Sequence, residues 1–175
     1  MTHMEYRKLA KAYLVDFLNT IESKENLVLD QAFGDGEADF DKYEDYIGNY
    51  KQIVVYRDPR DVYMTGIILK EGWIPKDVEN FIFWYRNKIN NIDKYINSND
   101  SRKLVLKFED LVMNYDESLS KILNFLNIDK THHIAPKTQF RPEYSIKNIG
   151  LYKNAKNKKA IEYIFTRLKD YCYDK

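Results

Sequence analysis

Two short apolar runs constrain the fold of this chain more than any other feature. "KQIVVYR" (51–57) and "KLVLKF" (103–108) hold continuous hydrophobic stretches of strand length, each bounded by charge. Strands of a sheet with one wet face alternate, whereas a continuous run suits a parallel sheet covered on both faces. A third run, "NLVLDQAF" (26–33), reads as another short buried strand, broken by Gly34 and Gly36. Helical periodicity fills the intervals. Tyr6, Leu9, Ala10, Tyr13, Leu14, Phe17, Leu18 and Ile21 predict a helix over 4–23. Pro59 fits a first helical turn, so 59–70 is read as helix.

Pro75 and Asp77 open the next helix, striped by Val78, Phe81, Ile82, Tyr85, Ile89, Ile92 and Ile96. Leu119, Ile122, Leu123 and Leu126 mark another after Asp116, and a last one spans 156–172. Residues 39–48 read as a brief helix, and 129–155, with Pro136 and Pro142, as loop. Strands alternating with helices predict an α/β fold: a three-layer parallel sheet with helices on both faces, in one domain over residues 1–175.

The first run ends abruptly in charge: "RDPRDVYMT" follows the strand at once. Open parallel sheets bind ligands at the carboxyl ends of strands, and both Asp30 and Arg57 fall at such ends. A helix N-terminus with a guanidinium beside it makes a phosphate receptor, and Thr65, one turn on, can add a hydroxyl. The competing reading is a salt-bridged turn in which Asp58 and Asp61 neutralise Arg57 and Arg60. Lys+Arg 28 against Asp+Glu 27 leaves a net charge of +1. That balance gives no global basic field for nucleic acid, so an anion site must be local.

Cys172 is the single cysteine and has no internal partner, which fits a reducing compartment. His132 and His133 are adjacent and lack zinc-ligand spacing, so no metal is expected. No stretch reaches the roughly 18 apolar residues of a membrane span, and "MTHMEYRKLAKAY" is too charged for a signal peptide. The expectation is a soluble cytoplasmic protein.

"VVYRDPRDVYMT" resembles the 3′-phosphate-binding segment of the sulfotransferases, which use 3′-phosphoadenosine 5′-phosphosulfate (PAPS). In that family a buried strand ends in Arg, then Asn or Asp, Pro, a basic residue, Asp and Val, with a Ser eight residues after the Arg. Arg57, Asp58, Pro59, Arg60, Asp61 and Val62 match in order, and Thr65 stands for the serine. "KLVLKFEDLVMNYDESLSKILNFLNI" is similar to the family's strand, Glu-Asp-Leu turn and following helix. "SIKNIGLYKN" is similar to its nucleotide-covering loop, with Tyr152 in place of the usual Trp and Lys153 as the basic residue. "LVLDQAF" falls where the family carries its general base.

The resemblance covers residues 26–154 and implies a P-loop-like sulfotransferase fold. It implies that Arg57 and Thr65 hold the nucleotide 3′-phosphate and that Lys147, Tyr152 and Lys153 close over it. Asp30 would be the base, although many members use His or Glu there, and an Asx turn before Gly34 is its alternative. Glu109 and Asp110 invite an acid–base reading, but at a strand-to-helix junction carboxylates more often cap the helix.

One half of such a site is absent from the sequence. The family opens with a Gly/Ser/Thr-rich loop that holds the 5′-phosphosulfate, and no G-x-x-x-x-G-K-[ST] or looser equivalent occurs. "FGDGEAD" has glycines but acidic neighbours, and is read as a turn. The chain thus reads as the C-terminal portion of a sulfotransferase fold, incomplete at its N-terminus, as a truncated, split or remnant domain. In the family sheet the phosphate-loop strand lies between the equivalents of 51–57 and 103–108. Its loss leaves two choices: these strands pair directly, or a complementing N-terminal fragment supplies the missing one.

Two functions follow. One is sulfuryl transfer from PAPS to a hydroxyl or amine acceptor. The other is a non-catalytic nucleotide-binding or interaction module. A phosphoryl-transfer enzyme is disfavoured because no Walker lysine is present. The acceptor is not encoded legibly, since Trp73, Phe81, Phe83, Trp84 and Tyr85 fit a core as well as a pocket.

Overall fold

The computed structural model describes residues 2–20, 50–70, 72–97 and 100–173. The chain divides into two compact units, Met1–Lys51 and Gln52–Lys175. The first unit contains α1 (His3–Thr20). A reciprocal cap opens it: Glu5 N–H donates to Thr2 Oγ1 at 3.3 Å, while Glu5 Oε2 accepts from Thr2 N–H at 2.6 Å. Tyr6, Leu9, Tyr13 and Phe17 of its apolar stripe are exposed. The predicted strand 26–33, with Asp30, and the brief helix 39–48 lie outside the described residues.

The second unit begins with β1 (Gln52–Tyr56), α2 (Pro59–Leu69), α3 (Val78–Ile96) and β2 (Lys103–Lys107). Parallel strands need a crossover, and α2 and α3 supply it. β1 and β2 pair in parallel, with Gln52 opposite Lys103 and Tyr56 opposite Lys107. Ile53–Tyr56 therefore bond directly to Leu104–Lys107, and no strand stands between them.

The α/β class with a parallel pair holds, but the described sheet has two strands. Cover on both faces is not met along β1, where Ile53 and Val55 are 37% and 48% exposed. The core lies on the opposite side, where Tyr56 packs against it.

That core joins α2, α3 and α7 (Lys158–Leu168). Phe81 and Ile164 are fully buried, and Tyr63 meets Phe81 edge-on with centroids 5.1 Å apart. Of the predicted α3 stripe, Phe81, Ile82, Tyr85 and Ile89 are buried, while Ile96 is exposed. Asp77 Oδ1 caps α3 by accepting from Asn80 N–H at 2.9 Å. Gly66 lets α2 approach the Ile74 side chain, since a Cβ there would lie 2.5 Å from Ile74 Cγ2.

After β2 the chain turns at once into α4 (Phe108–Met113) and α5 (Tyr115–Leu126). The segment read as loop contains short turns of helix. These are the 3₁₀ turns Lys130–His132, Ile146–Asn148 and Leu151–Asn154, and α6 (Pro142–Ser145). The last helix stops at Leu168 and tightens into a 3₁₀ turn, Lys169–Tyr171. Among the described residues no helix is long and apolar enough to cross a membrane.

Candidate anion-binding site at the carboxyl end of β1

Arg57 is the first residue beyond β1, and its position is fixed from both ends. Tyr85 Oη donates to the Arg57 carbonyl at 2.6 Å, tying the turn to the buried face of α3. On the guanidinium, Nη1 donates to Thr65 Oγ1 at 3.0 Å, and Nη2 donates to the Asn148 carbonyl. The Phe108 ring lies beneath it, 5.4 Å from the centroid. Arg57 makes no ion pair with a described carboxylate. Burial lowers its pKa, while Asp61, Glu109 and Asp58 oppose the shift through their charges.

Arg57 and Thr65, expected to share a phosphate, are thus in direct contact with each other. The Thr65 hydroxyl itself donates to the Asp61 carbonyl at 2.8 Å, the usual back-bond of a helical threonine.

The salt-bridged alternative is only half of what the turn does. Asp58 pairs with Arg60, not with Arg57: Oδ1 accepts from Arg60 N–H at 2.8 Å and Oδ2 from Arg60 Nη2 at 2.6 Å. Asp61 neutralises neither arginine directly. Its buried carboxylate takes backbone N–H bonds from Gly150 at 2.7 Å and Tyr152 at 3.2 Å, seating the loop against α2. Burial raises the Asp61 pKa, and those two N–H bonds act against the rise.

Gly150 sits at φ 75°, a left-handed conformation that glycine adopts without strain. Arg60 lies over the Tyr152 ring at 4.0 Å and the Phe165 ring at 5.2 Å, so loop and α7 share one cation. Tyr152 therefore does meet the site, through Arg60. Lys147 and Lys153 are exposed beside it.

Glu109 is 1% exposed and structural: Oε1 accepts from Asp58 N–H at 2.9 Å, joining the two strand ends. Burial raises its pKa. Asp110 accepts from Tyr173 Oη at 2.8 Å. Two buried atoms of the cluster, Arg57 Nε and Glu109 Oε2, have no hydrogen-bond partner among the described residues. One is a donor and the other an acceptor. Asp30, the predicted base, lies outside the described residues, so its relation to Arg57 is not part of this geometry. A cavity of about 400 Å³ runs along β2, lined by Tyr56, Lys103 and Lys121 among others, and does not include Arg57.

Sequence reasoning gave Asp61 the arginines as partners instead of the Gly150 and Tyr152 N–H groups, and missed Asn148 and the Asp58–Glu109 link. Asp61 carried a signal, because an aspartate in a first helical turn faces neighbouring backbone N–H groups as readily as an arginine. Asn148 contributes only a carbonyl, which no side-chain pattern marks. Comparison with protein-family models, with curated proteins and with solved structures gives no match for this chain.

Proposed function

We propose that this chain is a sulfotransferase-like module that binds a 3′-phosphorylated adenosine nucleotide at the carboxyl end of β1. Arg57 and Thr65 hold the 3′-phosphate, and Lys147, Tyr152 and Lys153 cover the nucleotide. One observation carries the reading: Arg57 reaches both Thr65 on α2 and Asn148 in the loop, joining the strand end and the helix after it to a loop 91 residues on.

Phosphate entry needs two side-chain rotations. Nη2 turns from the Asn148 carbonyl to a phosphate oxygen, and the Thr65 hydroxyl turns from the Asp61 carbonyl to donate. The backbone around them is already held by Asp61, Glu109 and Tyr85. The fold implied is the three-layer sulfotransferase sheet, with Asp30 on a further strand.

The second reading is sulfuryl transfer from PAPS to a hydroxyl or amine acceptor, with Asp30 as base. Such transfer rests on donors arrayed around spread negative charge. The direct pairing of β1 with β2 counts against it, because the family's phosphate-loop strand occupies that interval. Turnover of PAPS by this chain on a broad acceptor panel would establish it.

Calorimetry tests the leading reading. 3′-Phosphoadenosine 5′-phosphate should bind about tenfold or more tighter than adenosine 5′-phosphate, and Arg57→Ala should erase the difference. Equal affinity for the two nucleotides would end the proposal.

A further inference from the structure

Between Asp129 and Lys159 eight lysines and arginines stand against two carboxylates, Asp129 and Glu143, and four of the eight lie within Asp129–Lys147. Since the whole chain carries only +1, the remainder is net acidic, and the basic charge is concentrated in this stretch. No residue from Asn127 to Asn154 is buried. Its cations are exposed and make no ion pair with a described carboxylate. Bulky apolar groups are exposed in the same stretch: Ile134 at 90%, Tyr144 at 59% and Ile146 at 55%.

The stretch is nonetheless held to the body of the second unit. Phe140 stacks on Tyr115 with centroids 6.3 Å apart, and Lys137 lies over the Tyr115 ring. At its far end Asn148 meets Arg57.

We propose that the segment Asp129–Lys147 docks on an anionic phospholipid surface, with Lys130, Lys137 and Arg141 at the headgroups and Ile134 in the interface. Clustered exposed cations are attracted to anionic leaflets, and their number sets the strength of attraction. The apolar component selects a membrane over other polyanions. A glycan or nucleic-acid backbone has nothing to receive an isoleucine left almost wholly in water, whereas the headgroup–acyl boundary does.

Nucleic acid would also want free aromatic faces for stacking, but the Phe140 ring is taken by Tyr115 and Tyr144 lies under Arg141 at 5.6 Å. This inference is independent of the nucleotide reading, as the side chains placed at the membrane, Lys130, Ile134, Lys137 and Arg141, are not among those assigned to the nucleotide.

Co-sedimentation of the full chain with vesicles decides it. Phosphatidylcholine vesicles containing phosphatidylserine should bind the protein, pure phosphatidylcholine should not, and added salt should release it. The double variant K130S/K137S should weaken binding about 30-fold, and Ile134→Ser about tenfold. Because these side chains are exposed, an unchanged circular dichroism spectrum is expected for each variant. Absence of vesicle binding, equal binding to neutral vesicles, or retention on heparin or single-stranded DNA alone would overturn the proposal.

Discussion

The chain makes the same three-residue device twice, and the two copies behave as different objects. In Asp58-Pro59-Arg60, Asp Oδ1 accepts from the Arg N–H at 2.8 Å and Oδ2 accepts from Nη2 at 2.6 Å. In Asp100-Ser101-Arg102 the matching distances are 3.0 Å and 2.7 Å. The Asp and Arg side chains are 1% and 7% exposed in the first pair, against 20% and 41% in the second.

Local geometry comes from the spacing, and energetic consequence comes from what surrounds it. Asp58 also caps α2 and accepts from Tyr173 N–H at 2.9 Å, while Arg60 is clasped by Tyr152 and Phe165. The Asp100 carboxylate adds only Lys103 Nζ at 3.5 Å among the described residues.

Removing one partner of a buried pair strands a charge in a medium that does not solvate it. Asp58→Ala should therefore lose about 3–5 kcal/mol of stability, read by chemical denaturation. It also frees the N-terminus of α2 and the Tyr173 tether, so the candidate site should loosen with it. A loss below about 1 kcal/mol would break the contrast between the two pairs.

The carboxyls around the buried copy have a pH signature opposite in sign to that of Asp100, whose carboxyl is held below its ordinary range. Burial raises the pKa of Glu109, which accepts from Asp58 N–H, and of Asp61 nearby. A raised carboxyl binds more protons in the native than in the unfolded state, so stability falls as pH rises from the ordinary carboxyl range through the raised values. The melting temperature should therefore decline across that window. Glu109→Gln keeps an oxygen for the Asp58 N–H but removes the titration, and should flatten the decline. A variant curve parallel to the wild type would place the pH dependence elsewhere.

Much of this frame was legible beforehand, for reasons that particular residues make plain. "QIVVY" and "KLVLK" could hardly be anything but strands, and Pro59 after Asp58 announces a helix start. The family resemblance marks Arg57 and Thr65 together, though not their direct contact. What stayed hidden depends on tertiary context. Nothing in "DPR" and "DSR" says which aspartate is buried. Nor does the sequence reveal that Asp61 turns to the Gly150 and Tyr152 N–H groups, because backbone donors from a distant loop carry no side-chain signature. The direct β1–β2 pairing was one of two arrangements the strands allowed, and only the ladder of hydrogen bonds separates them.

Asp100→Ala is the smallest expected effect and the sharpest control. Hydrogen bonds from the Arg102 side chain and backbone hold the Asp100 carboxyl below the usual carboxylate range, which on its face suggests a strong interaction. Yet both partners are partly exposed, so water reaches the lost bonds and salt screens the charge. The variant should melt within experimental scatter of the wild type at moderate salt, with any residual difference confined to low ionic strength. If Asp100→Ala instead matched Asp58→Ala, burial would not be what separates the two pairs. The turn geometry itself, present in both, would have to carry the stability.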